Sequence, residues 1–254
     1  MRVVVTSGKY SDLLPLFAKQ FNKHFSSEIE VIVLSPNQVT GLPDNFSYHK
    51  IPFTQYWCND IRGFFESFED EIFLGCMEDH FLHSPVDLEF LDEILSTFED
   101  KTVIKYCSVK PGDWISAIRD RPSEQHNPSD KRGKGESYQI YKGELIFNAP
   151  VRQSLLPSVW RTSFFNIILN NSPNFNVWEF EARKNEYRLE QVILDQIKDK
   201  KVLFSTKQLF PMSDVVRNGQ PAQNFWKEEV KNPEDLLIFK EATTRIFPDV
   251  LWTT

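Results

Sequence analysis

Cysteine is scarce in this chain: Cys58, Cys76 and Cys107 are the only three in 254 residues. An odd, widely spaced set supplies neither a disulfide framework nor a zinc-ligand spacing, and suits free thiols in a reducing compartment. Long apolar runs are missing too. The best membrane-helix candidate, Phe164 to Leu169, is far shorter than the ~18 residues that a span requires. Val3 to Val5 likewise falls short of the ~7–15 residues of a secretory leader core. A cytoplasmic protein with no integral membrane segment is therefore expected. Positive charge is in deficit, with 29 Lys and Arg against 36 Asp and Glu and a net charge of −7. No nucleic-acid partner is expected, because phosphate-backbone binders carry a broad basic footprint. The Gly-x-x-x-x-Gly-Lys loop, the Gly-x-Gly-x-x-Gly fingerprint and the Gly-x-Ser-x-Gly elbow are all absent, which disfavours P-loop chemistry and covalent hydrolysis.

Aromatics, by contrast, are plentiful: 22 Phe and 6 Trp. Most of these must fill a core, and the remainder can line a groove for flat ligands and sugar rings. The opening reads strand, helix, strand. Val3 to Val5 is β-branched, Ser11 can cap a helix bearing Leu13, Leu14, Phe17, Phe21 and Phe25, and Glu30 to Leu34 is a second buried strand. Such a unit implies a right-handed parallel crossover.

A turn-rich stretch through Gly41 to Asn45 leads to Tyr48–Phe53, and a helix is expected at Asn59–Phe68. Glu71 to Met77 is apolar on both faces, as in a central strand. Further on come a helix at Asp87–Phe98 and a strand at Lys101–Ser108, then a polar loop of Pro, Gly, Ser and charges over 110–137, with a shorter element around Trp114–Ile118 as the alternative. A hairpin follows, with Tyr138–Tyr141 and Leu145–Phe147 flanking Lys142-Gly143. The remaining expectations are a strand at Ser154–Trp160, a helix at Arg161–Leu169, helical structure over Val177–Ile197, a strand at Val202–Ser205, and a last helix capped by Asn232 with Pro233 at its first position. The fold class is α/β, a mostly parallel central sheet flanked by helices, in a single domain covering 1–254.

Chemistry concentrates where the strand ending at Met77 meets Glu78-Asp79-His80. In parallel α/β sheets the ligand crevice lies at the carboxyl ends of strands. Carboxylates there suit Mg²⁺ or Mn²⁺, which can neutralise a diphosphate leaving group. Solvated acids beginning a helix account for the same two residues equally well. His80 and His83 are three apart, yet no third ligand at metal spacing accompanies them.

The segment Phe73 to Phe81, with Pro85-Val86-Asp87 after it, resembles the acidic motif of bacterial and viral glycosyltransferases of the GT-A type. Ser154 to Arg161 and Trp178-Glu179-Phe180-Glu181 resemble the same group's downstream motifs, in the same order. The resemblance implies a Rossmann-like nucleotide-diphospho-sugar transferase fold, with a donor-binding half over 1–109, the loop over 110–137 and an acceptor-binding half over 138–254. Its partners would be a nucleotide-sugar donor and a glycan or other hydroxyl acceptor. One departure stands out. The usual Asp-x-Asp is replaced by adjacent Glu78 and Asp79, with His80 where the second Asp would stand. Neighbours on a strand point to opposite faces, so both acids reach one cation only if the chain turns there.

Under that resemblance Asp79, then Glu78, is the candidate metal ligand. Glu181 or Glu179 would take the acceptor's proton, and Trp178 would shape the acceptor site. Trp160 could serve there too, although core packing explains it as well. Arg161 and Arg152 could grip the diphosphate through a planar fork, or simply pair with surface acids. Thr6, Ser7, Lys9 and Tyr10 follow the first strand, where a nucleotide would approach. Two rivals stay open: a non-catalytic carbohydrate- or nucleotide-binding module of the same fold, and a metal-dependent phosphoester hydrolase using the same acids.

Overall fold

The structure is a computed structural model that describes residues 1–69, 71–108, 137–141, 144–148, 157–176, 196, 200–205, 207–217 and 219–250. In chain order the first elements are β1 (Arg2–Thr6), α1 (Leu14–His24), β2 (Val31–Ser35), β3 (Phe46–Lys50), α2 (Trp57–Glu66), β4 (Ile72–Met77), β5 (His80–Leu82) and α3 (Leu88–Thr97). Then come β6 (Val103–Ser108), β7 (Ser137–Tyr141), β8 (Glu144–Asn148), β9 (Ser158–Arg161), α4 (Thr162–Asn171) and β10 (Lys201–Ser205). The last are β11 (Met212–Asp214), β12 (Val216–Arg217), β13 (Gln220–Pro221), α5 (Gln223–Glu229) and α6 (Pro233–Ile246). The class is α/β, a mostly parallel sheet flanked by helices, as the alternation of apolar runs and amphipathic segments implies.

By packing, the chain divides into two compact units: Met1–Phe53 with Leu74–Asp87 and Phe210–Thr254, and Thr54–Phe73 with Leu88–Leu209. In the first unit the strands run in the order β3, β2, β1, β4. β1 pairs parallel to β2 from Val3 opposite Val31 to Thr6 opposite Leu34, and β2 pairs parallel to β3. Val3, Val4, Val5, Val31, Val33 and Leu34 are all buried, as a strand covered on both faces requires. Helix α1 buries Leu14, Phe17, Ala18 and Phe21 at helical spacing. Phe17 meets Phe81 edge to face at 6.2 Å, and Phe81 meets Phe239 of α6 at 5.4 Å.

The second unit has strand order β9, β6, β10, β8, β7. β6 and β10 are parallel, whereas β9 runs antiparallel to β6, and β8 antiparallel to both β10 and β7. β7 and β8 are the two arms of the expected hairpin; its turn, Lys142-Gly143, lies outside the described residues. Phe65 of α2 packs against Phe165 of α4 at 4.7 Å, and Phe73 meets the same ring at 5.4 Å.

Some boundaries differ from the sequence reading. Strand β3, Phe46–Lys50, to which the sequence reading gave no element, is fixed by its ladder to Val31–Ser35. The strand expected from Ser154 begins at Ser158, and residues 149–156 lie outside the described set. So do the loop over 110–136, its alternative at Trp114–Ile118, and the helical stretch over 177–195. The short strands β5 and β11 to β13, and helix α5, had no counterpart in the sequence reading.

The start of α6 is fixed by Asn232, whose side chain accepts from the N–H groups of Glu234 and Asp235, with Pro233 at the first helical position. Asp235 is fully buried and joins α6 to α1. It accepts from Gln20 Nε2 at 3.0 Å and Lys23 Nζ at 2.8 Å, and lies 2.9 Å from His24 Nε2. Burial opposes its charge, but the Lys23 and Gln20 hydrogen bonds and the charges of His24 and Lys23 outweigh that and hold its carboxyl below the ordinary 3.8. Removing one partner from a buried network costs about 3–5 kcal/mol. Asp235→Ala should therefore lower stability by an amount of that order in urea unfolding at neutral pH. Because the folded-state value is depressed, the wild-type advantage is present above pH 3.8 and shrinks as the pH falls through the carboxylate range.

Candidate functional site

The acidic segment sits in the first unit, at the carboxyl ends of the neighbouring strands β1 and β4. β4 ends at Met77, the chain turns at Glu78 and Asp79, and β5 begins at His80. That turn lifts the restriction that adjacent strand residues face opposite ways. Both carboxylates are held close: Glu78 is 2% exposed, and the Asp79 side chain 15%.

Glu78 reaches across to the loop after β1. Its Oε1 accepts from the backbone N–H of Gly8 at 3.1 Å and of Tyr10 at 3.2 Å. A loop of this kind beside a strand end is where backbone N–H groups would cradle a phosphate. Here a carboxylate of the protein itself takes two of them. The Gly8 position does not demand a glycine for space, since an added Cβ would meet Phe53 at an ordinary 3.6 Å. Ser7 is buried and continues the sheet ladder, its N–H donating to Leu34 O at 2.8 Å. Thr6 is buried, Lys9 exposed, and Lys9 Nζ lies 5.3 Å from the Tyr10 ring centroid.

A third carboxylate joins the pair. β11 pairs antiparallel to β5 with Asp214 opposite His80. His80 Nε2 lies 3.6 Å from Asp214 Oδ1 and 3.9 Å from Asp79 Oδ1. The backbone holds the same corner, with Val215 N–H donating to Asp79 O at 2.8 Å. Asp214 was missed in the sequence because nothing near it in the chain marks it; only the β5–β11 pairing brings it to the acidic turn. Among the described residues, no group of three or more His, Cys, Asp or Glu forms a set that could hold a metal ion.

Three buried oxygens here have no hydrogen-bond partner in the protein: Ser7 Oγ, Glu78 Oε2 and Asp79 Oδ1. Burial pushes the Glu78 carboxyl up to about 7, helped by the charge of Asp79 and opposed by its backbone hydrogen bonds. Asp79 is also raised, chiefly by burial and then by Asp214, against the lowering effect of His80. Cys76, two residues before Glu78, has its thiol pushed well above its ordinary value by burial and by both acids, the opposite of the electropositive setting that activates a thiolate.

The other expected site residues fall elsewhere. Trp160 is 1% exposed in the second unit. It stacks on Phe164 at 5.9 Å, with Lys105 Nζ 3.6 Å from its ring centroid, which makes it a core residue and not an open platform for a sugar. Arg161 is 2% exposed. Its Nε donates to Val103 O at 3.1 Å and its Nη2 to Phe98 O at 2.5 Å, so part of its fork is spent on backbone carbonyls. Arg152, Trp178, Glu179 and Glu181 lie outside the described residues.

A raised carboxyl makes stability depend on pH with a definite sign. Between the ordinary 4.5 and about 7 the folded chain keeps a proton on Glu78 that the unfolded chain has released, so stability falls as pH rises through that window. Glu78→Gln keeps an acceptor for Gly8 and Tyr10 but cannot ionise. With a chelator present, the urea midpoint of the wild type should fall relative to that of Glu78→Gln between pH 4.5 and 7; a constant gap would contradict the burial assigned to Glu78.

No family model and no curated protein matches this chain. Among solved structures, the chain is similar to a mannosyltransferase from Pyrobaculum calidifontis in complex with GDP-Man and Mn²⁺, with a TM-score of 0.33 and 16% identity. The match covers 46% of this chain and 38% of that one.

Proposed function

We propose that this chain is a glycosyltransferase that moves a sugar from a nucleotide-diphosphate donor to a hydroxyl acceptor. The observation that supports it best is the acidic turn at the ends of β1 and β4, where Ser7, Glu78 and Asp79 present buried oxygens that the protein leaves unsatisfied. Buried polar atoms of that kind are completed by ordered water, a cation or a ligand. The order of the motifs Phe73–Phe81, Ser154–Arg161 and Trp178–Glu181 supports the same reading.

Oxygens are the right donors for Mn²⁺ or Mg²⁺, and two carboxylates with phosphate oxygens completing the shell is a usual arrangement for Mg²⁺. Asp79 is the first candidate ligand and Glu78 Oε2 the second. The cation would offset charge on the departing diphosphate. Glu78 has a further role in this reading: through Gly8 and Tyr10 it sets the shape of the loop against which the nucleotide lies. Lys9 and Tyr10 remain the donor-side candidates on that loop. In the transfer the acceptor oxygen attacks the anomeric carbon, the bond to the diphosphate oxygen breaks, and a carboxylate takes the hydroxyl proton. Glu181 or Glu179 is proposed for that base and Trp178 for the acceptor wall, from the motif alone. Trp160 and Arg161, both buried in the second unit, take no part in this reading.

Glu78 being already committed to two backbone N–H groups favours a second reading, a binding module that retains the nucleotide and lacks turnover. A panel of nucleotide sugars, each with and without Mn²⁺, separates the two by thermal shift and donor hydrolysis. The transferase reading expects a shift with at least one donor and turnover that Asp79→Asn lowers by about 100-fold or more. Binding without turnover favours the module. No shift and no turnover across the panel defeats both.

A further inference from the structure

We propose that Asp214 is a direct oxygen ligand of the cation at the acidic turn, so that the site is assembled from two distant stretches of the first unit. The inference rests on the cation reading given above and adds to it a residue that no motif marks. Asp214 lies well over a hundred residues after Asp79, and only the pairing of β11 with β5 sets it opposite His80.

The position of Asp214 is fixed from two directions. Val215 N–H donates to Asp79 O at 2.8 Å, which ties the end of β11 to the turn itself. Ser213, 1% exposed, donates through its hydroxyl to Glu229 of α5. Neighbours on a strand face opposite ways, whereas residues directly opposite across a ladder share a face. The residue that grips α5 therefore sets Asp214 on the face it shares with His80. Glu229 is engaged on the other face of β11 and is no member of the acidic corner.

Three acids then meet one imidazole. His80 Nε2 lies beyond hydrogen-bond length from both Asp214 Oδ1 and Asp79 Oδ1, at 3.6 and 3.9 Å. Among the described residues it is the one ion-pair partner of either aspartate, and it carries at most a single positive charge. The charge of Asp214 also acts on the Asp79 carboxyl, so the two aspartates feel each other directly. A separate observation points to a ligand. Glu78, 2% exposed and under the influence of the Asp79 charge, leaves Oε2 without a hydrogen-bond partner, and Asp79 Oδ1 has none either. Asp214, with its side chain 30% exposed, is the most open of the three acids and the one a hydrated cation meets first. Two protein carboxylates, with water or phosphate oxygens completing the shell, suit Mg²⁺ or Mn²⁺.

The test is titration of the full chain with Mn²⁺ alone at one fixed pH, followed by the electron paramagnetic resonance signal of the free ion. Asp214→Asn keeps the ladder and the side-chain shape and removes the charge. It should weaken Mn²⁺ by about tenfold or more, as should Asp79→Asn. Asp44→Asn removes an exposed acid just before β3, at the opposite edge of the sheet, and should leave affinity within about twofold. Urea unfolding with a chelator present checks that each variant folds, and Asp214→Ser takes the place of the asparagine where it does not. Unchanged affinity in Asp214→Asn beside a loss in Asp79→Asn overturns the role of Asp214 and leaves the cation reading in place. Equal losses in Asp214→Asn and Asp44→Asn reduce the effect to general charge attraction and overturn that role too. No Mn²⁺ binding by the wild type overturns the cation reading and Asp214 with it.

Discussion

One carboxylate sets the geometry of the first unit's strand ends. Glu78 leaves β4 buried, where its ionised form is poorly solvated, and recovers part of that cost by accepting two backbone N–H groups from the loop after β1. The consequence runs both ways. The loop from Ser7 to Tyr10 takes its shape from a side chain some seventy residues later in the chain. In turn, with Glu78 directed to that loop, the turn leaves Asp79 beside His80 and Asp214. An apolar residue at 78 would satisfy burial but leave two N–H groups without acceptors, which costs about as much as losing the hydrogen bonds outright.

Much of this fold is legible locally. Triple valine at β1, the Phe and Leu spacing of α1, the two-faced apolarity of β4 and the Asn232-Pro233 start of α6 each state their element from adjacent residues, because propensity, period and capping agree there. What local sequence does not carry is pairing. β5 and β11 are three residues each, too short to show a period, and exist because Phe81 and Met212 are buried as the two strands meet. Nor does sequence reveal that packing assigns Met1–Phe53 and Phe210–Thr254 to one unit. That follows from Asp235 and Phe239 finding α1 and β5, contacts separated by well over a hundred residues.

The candidate site divides the same way. Glu78 and Asp79 stood out because acids end an apolar run. The direction of each did not, since it depends on the turn at 78–79 and on what faces it. Asp214 carries no local mark at all. Trp160 and Arg161 show the converse: for Trp160 the sequence left core packing beside a sugar-facing role, and for Arg161 a surface ion pair beside a diphosphate grip, and the structure buries both. Lys105 explains one of them, because a buried ammonium on the neighbouring strand needs an electron-rich face, and Trp160 is directly opposite in the ladder. The backbone carbonyls at Phe98 and Val103 explain the other.

The acidic turn also constrains what it can hold. Asp79 is raised by burial and by the charge of Asp214, and Glu78 by burial and the charge of Asp79, so the corner resists carrying all its negative charge at once. Two species relieve that strain, a proton or a cation, and they compete for the same oxygens. On the proposed reading, a cation would bind more tightly as pH rises and the carboxyls empty, and its binding would drive protons off. His80 Nε2 lies 3.9 Å from Asp79 Oδ1 and 3.6 Å from Asp214 Oδ1, and its influence on Asp79 opposes the raising effect of burial and of Asp214. An aspartate in place of His80 would set a fourth carboxylate beside Glu78, Asp79 and Asp214 and add to the repulsion that already raises Asp79.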